Sequence, residues 1–139
     1  NSRIDEIQSA ILNVKLKYID KLNTIRNKIA KIYNNNLDNK KFVIPYVNSG
    51  NKHCYHLYVI QSVNRNKIIK ELIKNNIYPG IHYKYPPYKY LGYKKYIKIP
   101  FKILNTENIS NKIISIPNHP FLSSVEIKKI IKILNNTRI

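Results

Sequence analysis

The chain has no Met, no Trp, one Cys, three Gly and seven acidic residues among 139. Each shortage excludes something. Without a Met it does not read as a complete primary translation product, and a start at Asn1 with no signal-peptide remnant reads as a fragment of a longer polypeptide. The lone cysteine, Cys54, allows neither an internal disulfide framework nor a multi-cysteine zinc site, which fits a reducing cytoplasm. Three glycines form no Gly-rich phosphate loop, HExxH is absent, and no two acids have acid–base spacing. Composition and motifs therefore point to no catalytic constellation and no metal site. Lys or Asn interrupts every hydrophobic cluster well short of the roughly 20 apolar residues of a membrane span, so a soluble chain is expected.

What is abundant is positive charge. Lys and Arg total 25, giving +18 with His neutral, and 43% of the residues are hydrophobic. That apolar share is ordinary for one compact domain, so the charge does not imply disorder. Clustered cations would suit a nucleic-acid-binding domain, and that reading stands as an alternative. Three observations favour a solvated surface instead. Arg occurs only at positions 3, 26, 65 and 138, Lys is spread along the whole chain, and the excess is shared with Asn, Ile and Tyr, the residues of A+T-rich codons.

Apolar residues at Ile4, Ile7, Ile11, Val14, Tyr18, Leu22, Ile25, Ile29 and Ile32 step by three and four with no Gly or Pro between them. This spacing predicts a long amphipathic helix of about 45 Å at 1.5 Å per residue. Ser2 and Asp5 have the form of a capping box, with Arg3 in the first turn. The polar run at 34–41 reads as a loop, followed by an extended piece at 42–45 and strands at 54–61, 77–83 and 113–117. Helices are expected at 67–75, 108–112 and, from the Ser123/Glu126 capping box, at the C-terminus, with one turn at 88–91. The fold class is α/β with an α+β small domain, a long helix followed by a small sheet flanked by helices. Residues 1–36 form the linking helix and 37–139 the C-terminal small domain.

Few side chains suggest chemistry. Cys54 beside His53 and His56 reads as a buried structural thiol, and His56 as a core or interface residue. His119, in a turn between Asn118 and Pro120, reads as structural. His82 and Tyr83, at a strand end before an aromatic loop, stand where ligand groups are often displayed. A helix N-terminus with Asn1 ahead of it and Arg3 in its first turn is either a plain cap or a phosphate site.

Several stretches match a known pattern in order and spacing. Asn1-Ser2-Arg3-Ile4-Asp5-Glu6-Ile7-Gln8-Ser9-Ala10-Ile11-Leu12, Tyr55-His56-Leu57-Tyr58-Val59-Ile60, Gly80-Ile81-His82-Tyr83, Tyr88-Lys89-Tyr90-Leu91-Gly92-Tyr93 and Ser115-Ile116-Pro117-Asn118-His119-Pro120-Phe121-Leu122-Ser123 are spread along essentially the whole chain. Their combination resembles the DegT/DnrJ/StrS family of nucleotide-sugar aminotransferases, which depend on pyridoxal 5′-phosphate. The resemblance implies the C-terminal part of a fold type I transferase. Its Schiff-base lysine would lie upstream of Asn1, so no lysine here is catalytic and the fragment alone is expected to be inactive. In a complete, cytoplasmic homodimer, an amino group would pass from an amino acid such as glutamate to a keto sugar on a nucleoside diphosphate. The resemblance further implies that Asn1 reaches the cofactor phosphate across the dimer with Arg3 beside it, and that His82 and Tyr83 border the sugar-nucleotide pocket. It assigns His56 and His119 mainly structural positions. A dehydratase or regulatory member of the same fold is a second possibility, separated by the residue at the upstream lysine position. One departure bears on sugar specificity: Lys84-Tyr85-Pro86-Pro87 replaces a longer family stretch that carries a second pocket His and a Gln.

Overall fold

In the computed structural model, which describes residues 3–99 and 101–138, two short antiparallel strands lie at the centre. Strands β1 (Tyr58–Gln61) and β2 (Ile113–Ile116) pair Tyr58 with Ile116 and Ile60 with Ile114. Alternation buries Tyr58 and Ile60 on one face of β1. Single bridged pairs extend the layer on both edges: Val43 exchanges two backbone hydrogen bonds with Gln61, and Gly80 exchanges two with Ser115. The stretches 42–45 and 77–83, expected as an extended piece and a strand, are reduced to those contacts. Pro45 and Pro79 have no N–H to give, so neither ladder can lengthen past them. The strand expected from Cys54 starts only at Tyr58, because Tyr55 takes a left-handed backbone with φ 47° and ends the alternation before it.

Helix α1 (Glu6–Leu16) is followed by α2 (Ile19–Asn36), so the predicted single helix is broken at Lys17 and Tyr18. No Gly or Pro marks the break; it falls just before the first partly buried apolar position, Leu22. Upstream, α1 has no buried residue, and Ile7 (75% exposed) and Leu16 (64%) face solvent. Downstream, Ile29, Ala30 and Tyr33 of α2 enter the core. Helices α3 (Arg65–Lys74) and α6 (Ser124–Asn136) add Ile68 and Leu72, and Ile127, Ile130 and Leu134. The pieces expected at 88–91 and 108–112 fall instead as a 3₁₀ turn over Pro87–Lys89, α4 (Leu91–Lys94) and α5 (Leu104–Ser110).

The capping box read from Ser123 and Glu126 is present, with the Ser123 Oγ accepting from the Glu126 N–H and the Glu126 carboxylate accepting from the Ser123 N–H. At the other end of α6, Asn135 donates to the Asn36 carbonyl at 2.8 Å and accepts from the Asp38 N–H at 3.1 Å, locking it to the end of α2. Lys41 donates to the Asn135 and Thr137 carbonyls, placing a cation at the negative end of that helix.

A tyrosine cluster joins α2 to β1. The Tyr33 and Tyr58 rings lie 5.0 Å apart, the Tyr33 hydroxyl donates to the Pro117 carbonyl at 2.8 Å, and the Tyr58 hydroxyl donates to Asn34. Burial first, and then the neighbouring tyrosine, pushes both phenols well above the ordinary value of 10.0. An acid held neutral in the fold protects it only below the pH at which the unfolded phenol ionises. Above about pH 10 the unfolded chain releases protons that the folded chain keeps, so stability falls as pH rises. Urea midpoints measured near pH 8 and pH 11 are expected to drop at the higher pH, and the drop shrinks in the Tyr33→Phe, Tyr58→Phe double variant.

Candidate functional site

The Gly80–Ser115 bridge does more than end a sheet. It carries the chain back across β2 so that the His82 ring folds onto Ser115, with Nδ1 2.9 Å from Oγ. Gly80 is what lets the ring lie there. A Cβ on residue 80 would sit 3.1 Å from His82 Nδ1 and closer still to Cε1. Gly80→Ala is therefore expected to push the ring off Ser115 while leaving the backbone bridge intact. In ¹H–¹⁵N spectra His82 would shift strongly and β1 amides little; unchanged His82 signals would show that the ring is not held this way.

His82 stands at a cavity of about 530 Å³ that also reaches His56, Ser115, Asn118, His119 and Lys129. Three histidines thus meet at one opening, from before β1, after the Gly80 bridge and after β2. Of the two readings of His56, core or interface, the core one is corrected: it is exposed at the cavity mouth, because the strand that would have buried it starts two residues later. His119 is likewise exposed, and its backbone carbonyl accepts from the Leu122 N–H at 3.1 Å. Tyr83 lies outside the lining, 74% exposed, with its ring edge-on to His82 at 6.0 Å. Cys54, expected to be buried, is exposed, since no strand alternation operates at that position.

Three other polar side chains on the cavity are tied to groups of this chain. Lys129 Nζ donates to the Asn75 carbonyl at the end of α3 at 2.8 Å, and Asn118 Nδ2 donates to the Tyr55 carbonyl at 3.0 Å. The Glu126 carboxylate accepts from the Ser123 N–H and hydroxyl at 2.8 and 2.7 Å, contacts that hold its carboxyl below the usual carboxylate range. It serves the helix cap and is no proton donor near neutrality. Among the described residues, Arg65 Nε and Asn118 Oδ1 are buried without hydrogen-bond partners.

Sequence reasoning missed Ser115 and the convergence of the histidines. A single polar residue inside Ile-Ile-Ser-Ile was a usable signal, because a buried hydroxyl requires a partner. The partner comes from a segment 33 residues away, which no local pattern discloses.

Asn1 lies outside the described residues. Arg3 is exposed and precedes α1 instead of occupying its first turn; the cap is Asp5, whose carboxylate accepts from the Gln8 N–H at 2.8 Å. With Glu6 in the first turn, a phosphate on these N–H groups would meet two carboxylates of this chain. This cavity does not by itself hold a pyridoxal phosphate: its one lysine is tied to Asn75, and among the described residues Arg3 is the only cation ahead of α1. Among the described residues, no group of three or more His, Cys, Asp or Glu is placed to hold a metal ion, and no helix is long and apolar enough to cross a membrane.

Residues 1–135 match the model of the DegT/DnrJ/EryC1/StrS aminotransferase family. The chain is 34% identical over 135 residues to dTDP-3-amino-3,6-dideoxy-alpha-D-galactopyranose transaminase of Aneurinibacillus thermoaerophilus, covering 97% of this chain and 37% of that one. It is 32% identical over 127 residues to dTDP-3-amino-3,4,6-trideoxy-alpha-D-glucose transaminase of Micromonospora megalomicea subsp. nigra, covering 88% and 34%. Its structure superposes on a DegT DnrJ EryC1 StrS aminotransferase from Brucella abortus with a TM-score of 0.88 at 32% identity, over 95% of this chain and 35% of that one. The chain spans about a third of the length of these relatives.

Proposed function

The chain belongs to the DegT/DnrJ/EryC1/StrS aminotransferase family, and from that premise we propose that it forms the substrate-side wall of a nucleotide-sugar aminotransferase. The complete protein passes an amino group from an amino acid, glutamate in the simplest case, to a keto sugar carried on a nucleoside diphosphate. It works in the cytoplasm as a homodimer, with residues 1–36 linking the cofactor-bearing part to residues 37–139. Pyridoxal phosphate supplies the electron sink for that exchange, and its lysine and pyridine partners come from the rest of the polypeptide. Asn1 and Arg3 approach the cofactor phosphate of the partner subunit.

The observation that carries this reading is His82, held by Ser115 at the edge of a cavity of about 530 Å³ within a chain matched by the family over residues 1–135. A ring nitrogen held at a cavity edge suits hydrogen bonding to the sugar or its diphosphate, and Tyr83, edge-on to that ring and outside the cavity lining, borders only the part of a ligand that extends past His82.

Absorbance spectra test the proposal. Glutamate should bleach the pyridoxal band of the intact enzyme, and a nucleoside diphosphate keto sugar should restore it. The 139-residue chain alone should retain no saturable pyridoxal band after borohydride reduction. A restored band with simple keto acids only, and none with nucleotide sugars, would overturn the substrate assignment.

A further inference from the structure

We infer that Ser115 is a positioning residue that sets the tautomer of His82, so that the imidazole presents an Nε2–H donor to the cavity. Ser115 is 5% exposed in the middle of β2, and three of its polar groups engage the 80–82 segment. Its N–H and carbonyl pair with Gly80 at 2.8 and 2.9 Å, and its Oγ lies 2.9 Å from His82 Nδ1. Among the described residues, Nδ1 is the one hydrogen-bond partner of that hydroxyl.

The direction of the bond follows from counting hydrogens. A hydroxyl has one hydrogen to give, and a neutral imidazole has one nitrogen that donates and one that accepts. If Nδ1 carried the ring proton and donated to Oγ, the hydroxyl hydrogen of this 5% exposed residue would have no acceptor among the described residues, an arrangement that folded proteins disfavour. Donation from Oγ to Nδ1 satisfies both groups and leaves the ring proton on Nε2. The arrangement is rigid because the residue that supplies the hydroxyl also pairs with the Gly80 backbone, so ring and partner move together. The missing Cβ at Gly80 leaves the space that the ring needs.

A ring fixed this way recognises acceptor oxygens, such as those of a diphosphate, a ring ether or a keto group, without needing a positive charge. That consequence rests on the nucleotide-sugar reading of the cavity, whereas the tautomer does not.

Two-bond ¹⁵N–¹H correlation spectra of the full 139-residue chain labelled with [¹⁵N]histidine read the tautomer directly. They are recorded at about pH 8.5, where an ordinary imidazole is neutral. The wild-type protein is expected to show the Nε2–H pattern at His82. Ser115→Ala lowers the ratio of Nε2–H to Nδ1–H about fivefold, the worth of one net hydrogen bond, and Ser115→Thr, which keeps the hydroxyl, restores it. A wild-type His82 protonated on Nδ1 overturns the inference, and needs no variant that might fail to fold. A folded Ser115→Ala protein with an unchanged ratio overturns it too. Titration of the intact enzyme with a thymidine diphosphate sugar, which carries both the diphosphate and the sugar oxygens, separates this inference from the reading that it deepens. Equal affinity in wild-type and His82→Ala enzymes, beside an Nε2–H wild-type spectrum, removes the substrate role of the cavity and leaves the Ser115 assignment standing.

Discussion

Tyr58→Ala is expected to destabilise the chain by about 3–5 kcal/mol, the cost of removing a large ring from a packed interior. Tyr58 has no solvent exposure, and its ring lies 5.0 Å from Tyr33 and 5.9 Å from Tyr55. The ring therefore joins α2, the turn before β1 and β1 itself, and no small rearrangement can fill the space it leaves. Its hydroxyl also satisfies Asn34 at the end of α2. Because small domains are stable by only about 5–15 kcal/mol, the variant should retain little of its folded population at modest urea. Tyr58→Phe isolates the polar part and should cost about 1 kcal/mol. Urea unfolding of the three proteins checks the account. A Tyr58→Ala midpoint close to that of Tyr58→Phe would show that the tyrosine cluster is not a packed centre.

The second large effect falls on chemistry. His82→Ala in the intact enzyme is expected to lower kcat/KM for the keto-sugar nucleotide about 10- to 100-fold, the range of one hydrogen bond to a charged group. The loss should appear mainly in KM, because the proposed contact serves binding. The reaction with the amino donor, which carries no nucleotide to place, should change little. Stopped-flow measurement of the two half-reactions distinguishes the cases. Equal slowing of both would move His82 from substrate recognition to the support of the cofactor site.

Much of this architecture was legible in the residues. The α6 helix could be read because Ser123, Glu126 and the stripe Ile127, Ile130 and Leu134 carry its start and its buried face within 13 residues. The apolar steps through Leu22, Ile25 and Ile29 likewise indicated α2, but a stripe of this kind reports periodicity and says nothing about what covers it. Ile7 and Leu16 share that periodicity and remain exposed on α1. The 77–83 segment was over-read as a strand because β-branched and aromatic content signals extended backbone without fixing how many N–H groups pair, and Pro79 limits those. Cys54 and His56 were placed in the interior by an alternation that the left-handed Tyr55 interrupts.

The candidate site was legible in part. His82 and Tyr83 could be singled out from their place before the aromatic loop and from the Gly-Ile-His-Tyr resemblance. Their differing situations could not: His82 is bonded to Ser115, while Tyr83 stands outside the cavity lining. That difference is set by the pairing of Gly80 with a strand 35 positions later, as are the meeting of His82 with His119 and the clearance at Gly80. Non-local pairing is where local patterns lose their reach.

The central claim is that this chain supplies the nucleotide-sugar wall of an aminotransferase, and a crystal structure of the intact enzyme with a bound nucleoside diphosphate sugar tests it most directly. The predicted result is an acceptor oxygen of the sugar or its diphosphate within hydrogen-bonding distance of His82 Nε2, with Nδ1 still on Ser115 Oγ. A ligand seated away from the cavity that His82 shares with His56 and His119 would contradict the account.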